Sequence, residues 1–192
     1  GDSFKAKVLE KNKKNISLEK ISEIKSKKKK MPSINIAVGE IKSFDKVVRE
    51  SCQLGVNSIN SLMTKRTKSS NLAGEKKIQR WKVIASNSCE QCGLNWVPDI
   101  KASSLEDWIS SSKSKNKIFL DPKSHNKIQK LNFLPSIDLA VGPEGGFTED
   151  EKDLFKKNNF KSISCGNLIF KTETMPIVAL SIIQALKKEK KL

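Results

Sequence analysis

Histidine occurs once in this 192-residue chain, at His125, and that scarcity removes much of the usual catalytic repertoire. A serine, threonine or cysteine nucleophile needs a paired base to activate it. His125 stands outside both of the loops singled out below, so a histidine-paired nucleophile or a histidine base is not expected. A closed zinc site is equally short of ligands. The four cysteines are Cys52, Cys89, Cys92 and Cys165, and Cys89-Glu-Gln-Cys92 has no second pair to join it. A redox C-x-x-C opens a helix, where the N-terminus lowers a thiol pKa. This one closes a helix just before Gly93, so it reads as structural, and no metal is expected. Free thiols without a disulfide framework suit a reducing compartment.

Other absences narrow the field further. No run of eighteen apolar residues exists, which excludes a membrane-spanning helix. No signal peptide is visible, and the chain opens on Gly1-Asp2 rather than Met, as a trimmed or processed chain would. There is no G-x-G-x-x-G and no Gly-Lys-Ser/Thr after a glycine run, so phosphate cradling is not the obvious use of its glycines. No internal repeat is present. Acidic residues are few: 21 Asp and Glu stand against 37 Lys and Arg, for a net charge of +16. That balance points to a polyanionic partner, with RNA, DNA and an anionic membrane surface all qualifying, or to lysines spread over solvated faces. Hydrophobic residues make up 36%, enough for one core and a small appendage.

Along the chain, residues 4–10 and 16–22 alternate and flank Lys11-Asn12-Lys13-Lys14-Asn15, predicting a hairpin of a small β module. Lys25 to Lys30 reads as a solvated basic linker. The main domain begins near Ile34 with a strand over 34–38. Ser43 is expected to cap a helix carrying Phe44, Val47, Val48 and Cys52, ended by Gly55. Val56 to Leu62 reads as a second strand. A polar basic loop follows, with Lys65, Arg66 and Lys68. A helix over Glu75–Cys92 places Ile78, Trp81, Ala85, Ser88 and Cys92 on one face. Ser103-x-x-Glu106 reads as a capping box before a short helix through Leu105, Trp108 and Ile109. Strands are expected at Lys117–Leu120, 137–141 and Ser162–Cys165. A helix over 149–157 starts from the capping box Thr148-x-x-Glu151. The last helix, about Met175 to Lys188, has an apolar arc too wide for a lightly docked surface helix. Burial on two sides, against its own sheet and a second subunit, would explain that width. Its cationic end (Lys187, Lys188, Lys190, Lys191) fits a membrane surface or, more simply, the helix macrodipole. Strands alternating with helices predict an α/β domain with a mostly parallel sheet covered on both faces.

Three loops at strand ends can converge on one pocket at the carboxyl edge of such a sheet. They are Leu120-Asp121-Pro122, Gly142-Pro143-Glu144-Gly145-Gly146, and Ser164 to Thr174. Their glycines remove side chains where a ligand would approach. Leu168, Ile169 and Phe170 supply apolar walls, Lys171 a cation, and Glu144 and Glu173 carboxylates.

These motifs, Gly-Pro-Glu-Gly-Gly-Phe-Thr-Glu-Asp-Glu at 142–151 and Ser-x-Gly-x-x-Ile-x-Lys-Thr-Glu-Thr at 164–174, closely resemble the RsmE family of ribosomal-RNA methyltransferases, within the SPOUT superfamily. The resemblance runs over about residues 34–186, through Gln53-Leu54-Gly55-Val56, Arg80-Trp81-Lys82, Glu90-Gln91-Cys92-Gly93 and Val97-Pro98. It implies a trefoil-knotted methyltransferase domain over 31–192, preceded at 1–30 by a partial PUA-like β module and the basic linker. It implies S-adenosyl-L-methionine as cofactor, N3 of a uridine in 16S rRNA of the small ribosomal subunit as target, and a homodimer, in the cytoplasm or in an organelle. Cofactor contacts are expected from Leu120, Asp121, Val141, Gly142, Gly145, Gly146, Cys165, Gly166, Leu168, Ile169, Phe170 and Thr174. RNA contacts are expected from Lys65, Arg66, Lys68 and Arg80. Lys171 would stabilise the anion at N3, and Glu173 or Glu144 would take its proton. Glu173 could instead tie its loop to the last helix. The family usually has Arg where Lys171 and Leu94 stand and Glu where Gln53 stands. Alternatives are a SPOUT ribose 2′-O-methyltransferase or a non-catalytic knotted RNA-binding protein.

Overall fold

A computed structural model describes residues 1–25, 33–130 and 136–189. Six parallel strands form the sheet, in the order β5-β4-β3-β7-β6-β8. Numbered along the chain they are β3 (Ser33–Gly39), β4 (Ser58–Met63), β5 (Asp99–Ser104), β6 (Asn116–Leu120), β7 (Ser136–Val141) and β8 (Lys161–Ile163). A separate antiparallel hairpin, β1 (Ser3–Lys11) and β2 (Ile16–Ile24), turns at Asn12, whose side chain accepts from the N–H groups of Lys14 and Asn15. It meets the main domain where the Gly1 amino group donates to the Asn95 carbonyl and the Asn95 amide to Ser3 Oγ. The expected basic linker lies almost wholly outside the described residues.

Each helix is placed by its apolar stripe. Helices α1 (Phe44–Gln53), α2 (Glu75–Cys92) and α5 (Met175–Glu189) bury Phe44, Val47, Val48, Trp81, Ala85, Leu180 and Ile183 against Ile34, Ile36, Val38 and Ile59 on one face. Helices α3 (Leu105–Ser111) and α4 (Glu149–Lys157) cover the other face, around Ala37, Leu62, Phe119 and Ala140. There Phe119 stacks on Phe155 with ring centroids 4.8 Å apart, and Phe147 and Phe160 pack edge-on against Phe155. This second face is closed only toward the carboxyl ends of the strands. Toward their amino ends it turns polar, with a groove of about 320 Å³ lined by Asn35, Ser58, Asn60 and Lys101. At its floor buried Asp138 accepts from Asn35 Nδ2, Ser112 Oγ and Ser114 Oγ.

Several local readings shift. Ser43 holds the N-cap position of α1 but makes no side-chain cap bond. Cys89, not Cys92, faces the core of α2; Cys92 is exposed one turn on. The start of α3 slips by one residue: Ser104 Oγ, not Ser103, accepts from the Asp107 N–H, at 3.0 Å, while Ser103 lies within β5 and donates from its hydroxyl to Asn60 Oδ1. Only Ile100 of β5 is fully buried, so its alternation is too weak to read as a strand. In α5 Ala179, Leu180 and Ile183 are fully buried, while Ile177, Val178, Ile182 and Leu186 are half-buried.

Candidate functional site

The carboxyl ends of β6, β7 and β8 open into one cleft of about 810 Å³, within the range of small-molecule sites. Three loops build it. After β6, Asp121 donates its N–H to the Ile163 carbonyl and accepts on its carboxylate from the Lys123 N–H. After β7 comes the glycine turn 142–146, closed by Gly146 N–H to the Pro143 carbonyl at 2.8 Å. After β8, the segment 164–174 crosses to α5. Its base is tied to the β6–β7 connection by the main-chain bonds from Ser164 N–H to Asn126 O and from Ile128 N–H to Ser164 O.

The glycine turn needs its glycines for distinct reasons. Gly146 sits at φ +68°, and a Cβ there would enter open space. A Cβ on Gly142 would come within 3.0 Å of the Gly146 backbone. The turn then launches α4, where Thr148 and Glu151 form the reciprocal capping box that the spacing predicts. In the third loop Gly166 adopts φ +135°, again beside open space.

A nucleoside-bearing cofactor needs apolar surface for its base and main-chain groups for its polar edge. Both are present. Leu168 and Ile169 are 72% and 84% exposed beside the cleft, although each is large and apolar. The N–H groups of Gly166, Leu168 and Ile169 make no hydrogen bond among the described residues. Cys165 lines the same wall, and burial pushes its thiol up to about 11, so it stays protonated at neutral pH. It serves as a wall and not as a nucleophile.

The predicted cofactor residues therefore assemble, with one exception. Leu120, Asp121, Val141, Gly142, Gly145, Gly146, Cys165, Gly166, Leu168, Ile169 and Phe170 all line the cleft. Thr174 does not: its N–H bonds the Lys171 carbonyl and its own carbonyl accepts from Val178, so it begins α5. Lys171, Glu173 and Glu144 line the cleft too. Glu144 pairs with Lys68 at 3.0 Å. Among the described residues the Glu173 carboxylate makes no hydrogen bond or ion pair, so the tie from its loop to α5 finds no bond here.

Asp121 is not free to meet a ligand as a bare carboxylate. Lys152 of α4 reaches it at 3.0 Å, with only 14% and 12% of the two side chains exposed, and also reaches Glu149 at 3.0 Å. Burial alone would lower the Lys152 pKa, but its bonds to Glu149 and Asp121 reverse this and raise it. Sequence spacing gave no sign of Lys152, because its partner lies 31 residues upstream.

The cations predicted to meet RNA are all engaged within the chain. Lys65 pairs with Asp150, Lys68 with Glu144, and Arg80 with Asp45. Arg66 lines the cleft and donates to the carbonyls of Gly145 and Phe147. The Lys65 and Lys68 side chains are 59% and 71% exposed, and exposed pairs of this kind are weak enough to exchange for a phosphate. Gln53, the last residue of α1, and Leu94, just after α2, the other departures from the family pattern, lie toward the amino ends of β4 and β5, at the opposite end of the strands from the cleft. Only Lys171 alters the cleft itself. No group of three or more His, Cys, Asp or Glu residues suited to a metal occurs among the described residues. Among the same residues no helix is long and apolar enough to cross a membrane.

Residues 26–184 match the family described as RNA methyltransferase domain. The chain is 30% identical to ribosomal RNA small subunit methyltransferase E of Buchnera aphidicola from Acyrthosiphon pisum, over 95% of this chain and 75% of that protein. It is 28% identical to the protein of the same name from Synechocystis, over 80% of this chain but only 53% of that protein, so it spans about half of that relative's length. The crystal structure of ribosomal RNA small subunit methyltransferase E from Neisseria gonorrhoeae, bound to S-adenosylmethionine, superposes with a TM-score of 0.85 at 25% identity, over 97% of this chain and 79% of that one.

Proposed function

The chain belongs to the RNA methyltransferase family that includes the ribosomal RNA small subunit methyltransferase E proteins, and on that premise we propose that it methylates N3 of a uridine in small-subunit ribosomal RNA, with S-adenosylmethionine as donor. The observation that carries this reading is the cleft: bare glycine backbone, exposed Leu168 and Ile169, and Lys171 beside two carboxylates converge at the ends of three adjacent strands. The relative from Neisseria holds the same cofactor in the same overall fold.

The cofactor supplies an electrophilic methyl group on a sulfonium. Everything else falls to side chains and backbone. The walls from Gly142, Gly145, Gly146, Gly166, Leu168 and Ile169 hold and orient it and exclude water. Uridine N3 becomes nucleophilic when its proton leaves. Lys171, at the mouth of the third loop, places a cation against a uracil carbonyl and stabilises the anion. Of the two carboxylates, Glu173 is the better placed to take the proton. Glu144 is already occupied by Lys68, whereas Glu173 has no partner among the described residues.

Two finer points belong to the same proposal. The chain threads a trefoil knot, a reading supported by the way 164–174 hydrogen-bonds the 126–128 segment and α5 packs on the turn at Ile128–Lys130. The working unit is a homodimer whose interface includes the half-buried Ile177, Val178, Ile182 and Leu186 of α5. Incubation with labelled S-adenosylmethionine and hypomethylated small subunits, followed by nucleoside mass spectrometry, tests the reaction. Label on a ribose 2′ oxygen would move the chain to the other SPOUT chemistry, and no label with intact RNA binding would leave a binding protein.

A further inference from the structure

Glu151 does more than cap α4. A capping box uses one carboxylate oxygen, for the N–H of the cap residue, and here Glu151 Oε2 accepts from the Thr148 N–H at 2.7 Å. The residue is only 3% exposed, so its second oxygen is shut away from water. That oxygen, Oε1, accepts from the Lys65 N–H at 2.8 Å. Lys65 lies in the loop between β4 and α2, 86 residues away in sequence. The sheet order puts β3 between β4 and β7, so this bond spans the end of an intervening strand.

Around it the two loops are joined at three further points. Lys65 Nζ meets Asp150 at 2.8 Å, Lys68 meets Glu144 at 3.0 Å, and the Arg66 guanidinium meets the Gly145 and Phe147 carbonyls. These three use exposed side chains as donors. The Glu151 bond alone uses a buried acceptor and a main-chain donor, so it fixes the basic loop itself and not merely one of its side-chain ends. Thr67 Oγ1, bonded to both the N–H and the carbonyl of Thr64, closes that loop on itself.

We propose that Glu151 is a positioning residue for the RNA substrate: it locks the basic loop 64–68 to the glycine turn, so that Lys65, Arg66 and Lys68 stand at the cleft mouth in the geometry that receives phosphate. The inference rests on the RNA methyltransferase reading above. Glu151→Gln isolates the role. Glutamine also serves in a capping box, but it has one acceptor oxygen, and its NH2 group would face the Lys65 N–H.

In the full-length chain, Glu151→Gln is expected to keep the dissociation constant for S-adenosylmethionine within about twofold while raising KM for hypomethylated small subunits about tenfold. The slope of log Kd for RNA against log salt should become shallower by about one, as a phosphate contact is lost. Thr148→Ala removes the cap hydroxyl but leaves the Glu151 bridge, so it should lower Tm and keep KM at the wild-type value. Unchanged KM and salt slope in Glu151→Gln, with an active wild type, would overturn the assignment of Glu151 alone. So would losses of cofactor and RNA affinity in equal proportion, or a Thr148→Ala variant whose KM rises as far, because either would make Glu151 a helix cap only. A wild type that binds neither cofactor nor subunits would overturn the functional reading and this inference with it.

Discussion

Gly146 joins backbone strain to ligand space at one residue. At φ +68° a β-branched side chain is disfavoured by roughly 1–2 kcal/mol, and its Cβ would point into open space at the cleft. Gly146→Val is therefore expected to loosen the turn closed by the Gly146–Pro143 bond and to raise the dissociation constant for S-adenosylmethionine at least about tenfold in calorimetry. An unchanged constant would place the cofactor elsewhere. Lys171 tests the chemistry rather than the cradle. Removing one preorganised electrostatic stabiliser typically costs about 100-fold or more in rate. Lys171→Ala should lose turnover on that scale while cofactor affinity stays within about threefold, since Lys171 is exposed at the mouth of the cleft and no wall rests on it. Normal turnover would reassign its role. Lys171→Arg, restoring the residue the family usually carries, adds a planar fork of donors without changing charge.

At the level of elements, the end of β3 and the glycine turn are built for each other. A Cβ on Gly39 would meet Pro143 N at 2.5 Å and Pro143 Cδ at 2.6 Å, and a backbone atom cannot swing aside. Gly39→Ala should thus push the turn off β3, at a stability cost of about 1–3 kcal/mol typical of overpacking. A lower Tm together with weaker cofactor binding would report it; wild-type values for both would mean that the turn yields freely. Helices α2 and α4, the capping box at Thr148 and the central strands were legible because local signals decide them. Period, caps and a terminal glycine all lie within one element. The strand β5 was not, because it is an edge strand with one wet face and a single fully buried residue. Helical spacing puts Cys92 in line with Trp81, but Cys92 is the last residue of α2 and is exposed there, which spacing alone does not show. The three converging loops could be inferred from strand ends, but the bonds that lock them could not. Lys65 to Glu151 and Asp121 to Lys152 join residues that only the sheet order brings together.

For the whole molecule, a net charge of +16 and a cleft whose walls are apolar but whose mouth carries Arg66, Lys68 and Lys171 describe one division of labour. The interior of the cleft suits a small cofactor, and the basic surroundings suit an RNA chain that must approach it. Some of the basic side chains are paired on the surface, as with Lys65–Asp150 and Lys68–Glu144, and exposed pairs of this kind are weak enough to exchange for phosphate. Membership of the RNA methyltransferase family fits both halves. The most direct measurement is nucleoside mass spectrometry on hypomethylated small ribosomal subunits incubated with the protein and labelled S-adenosylmethionine. The account predicts labelled N3-methyluridine at one site, lost in Lys171→Ala. Label on another atom, or no label from a protein that binds both partners, would contradict it.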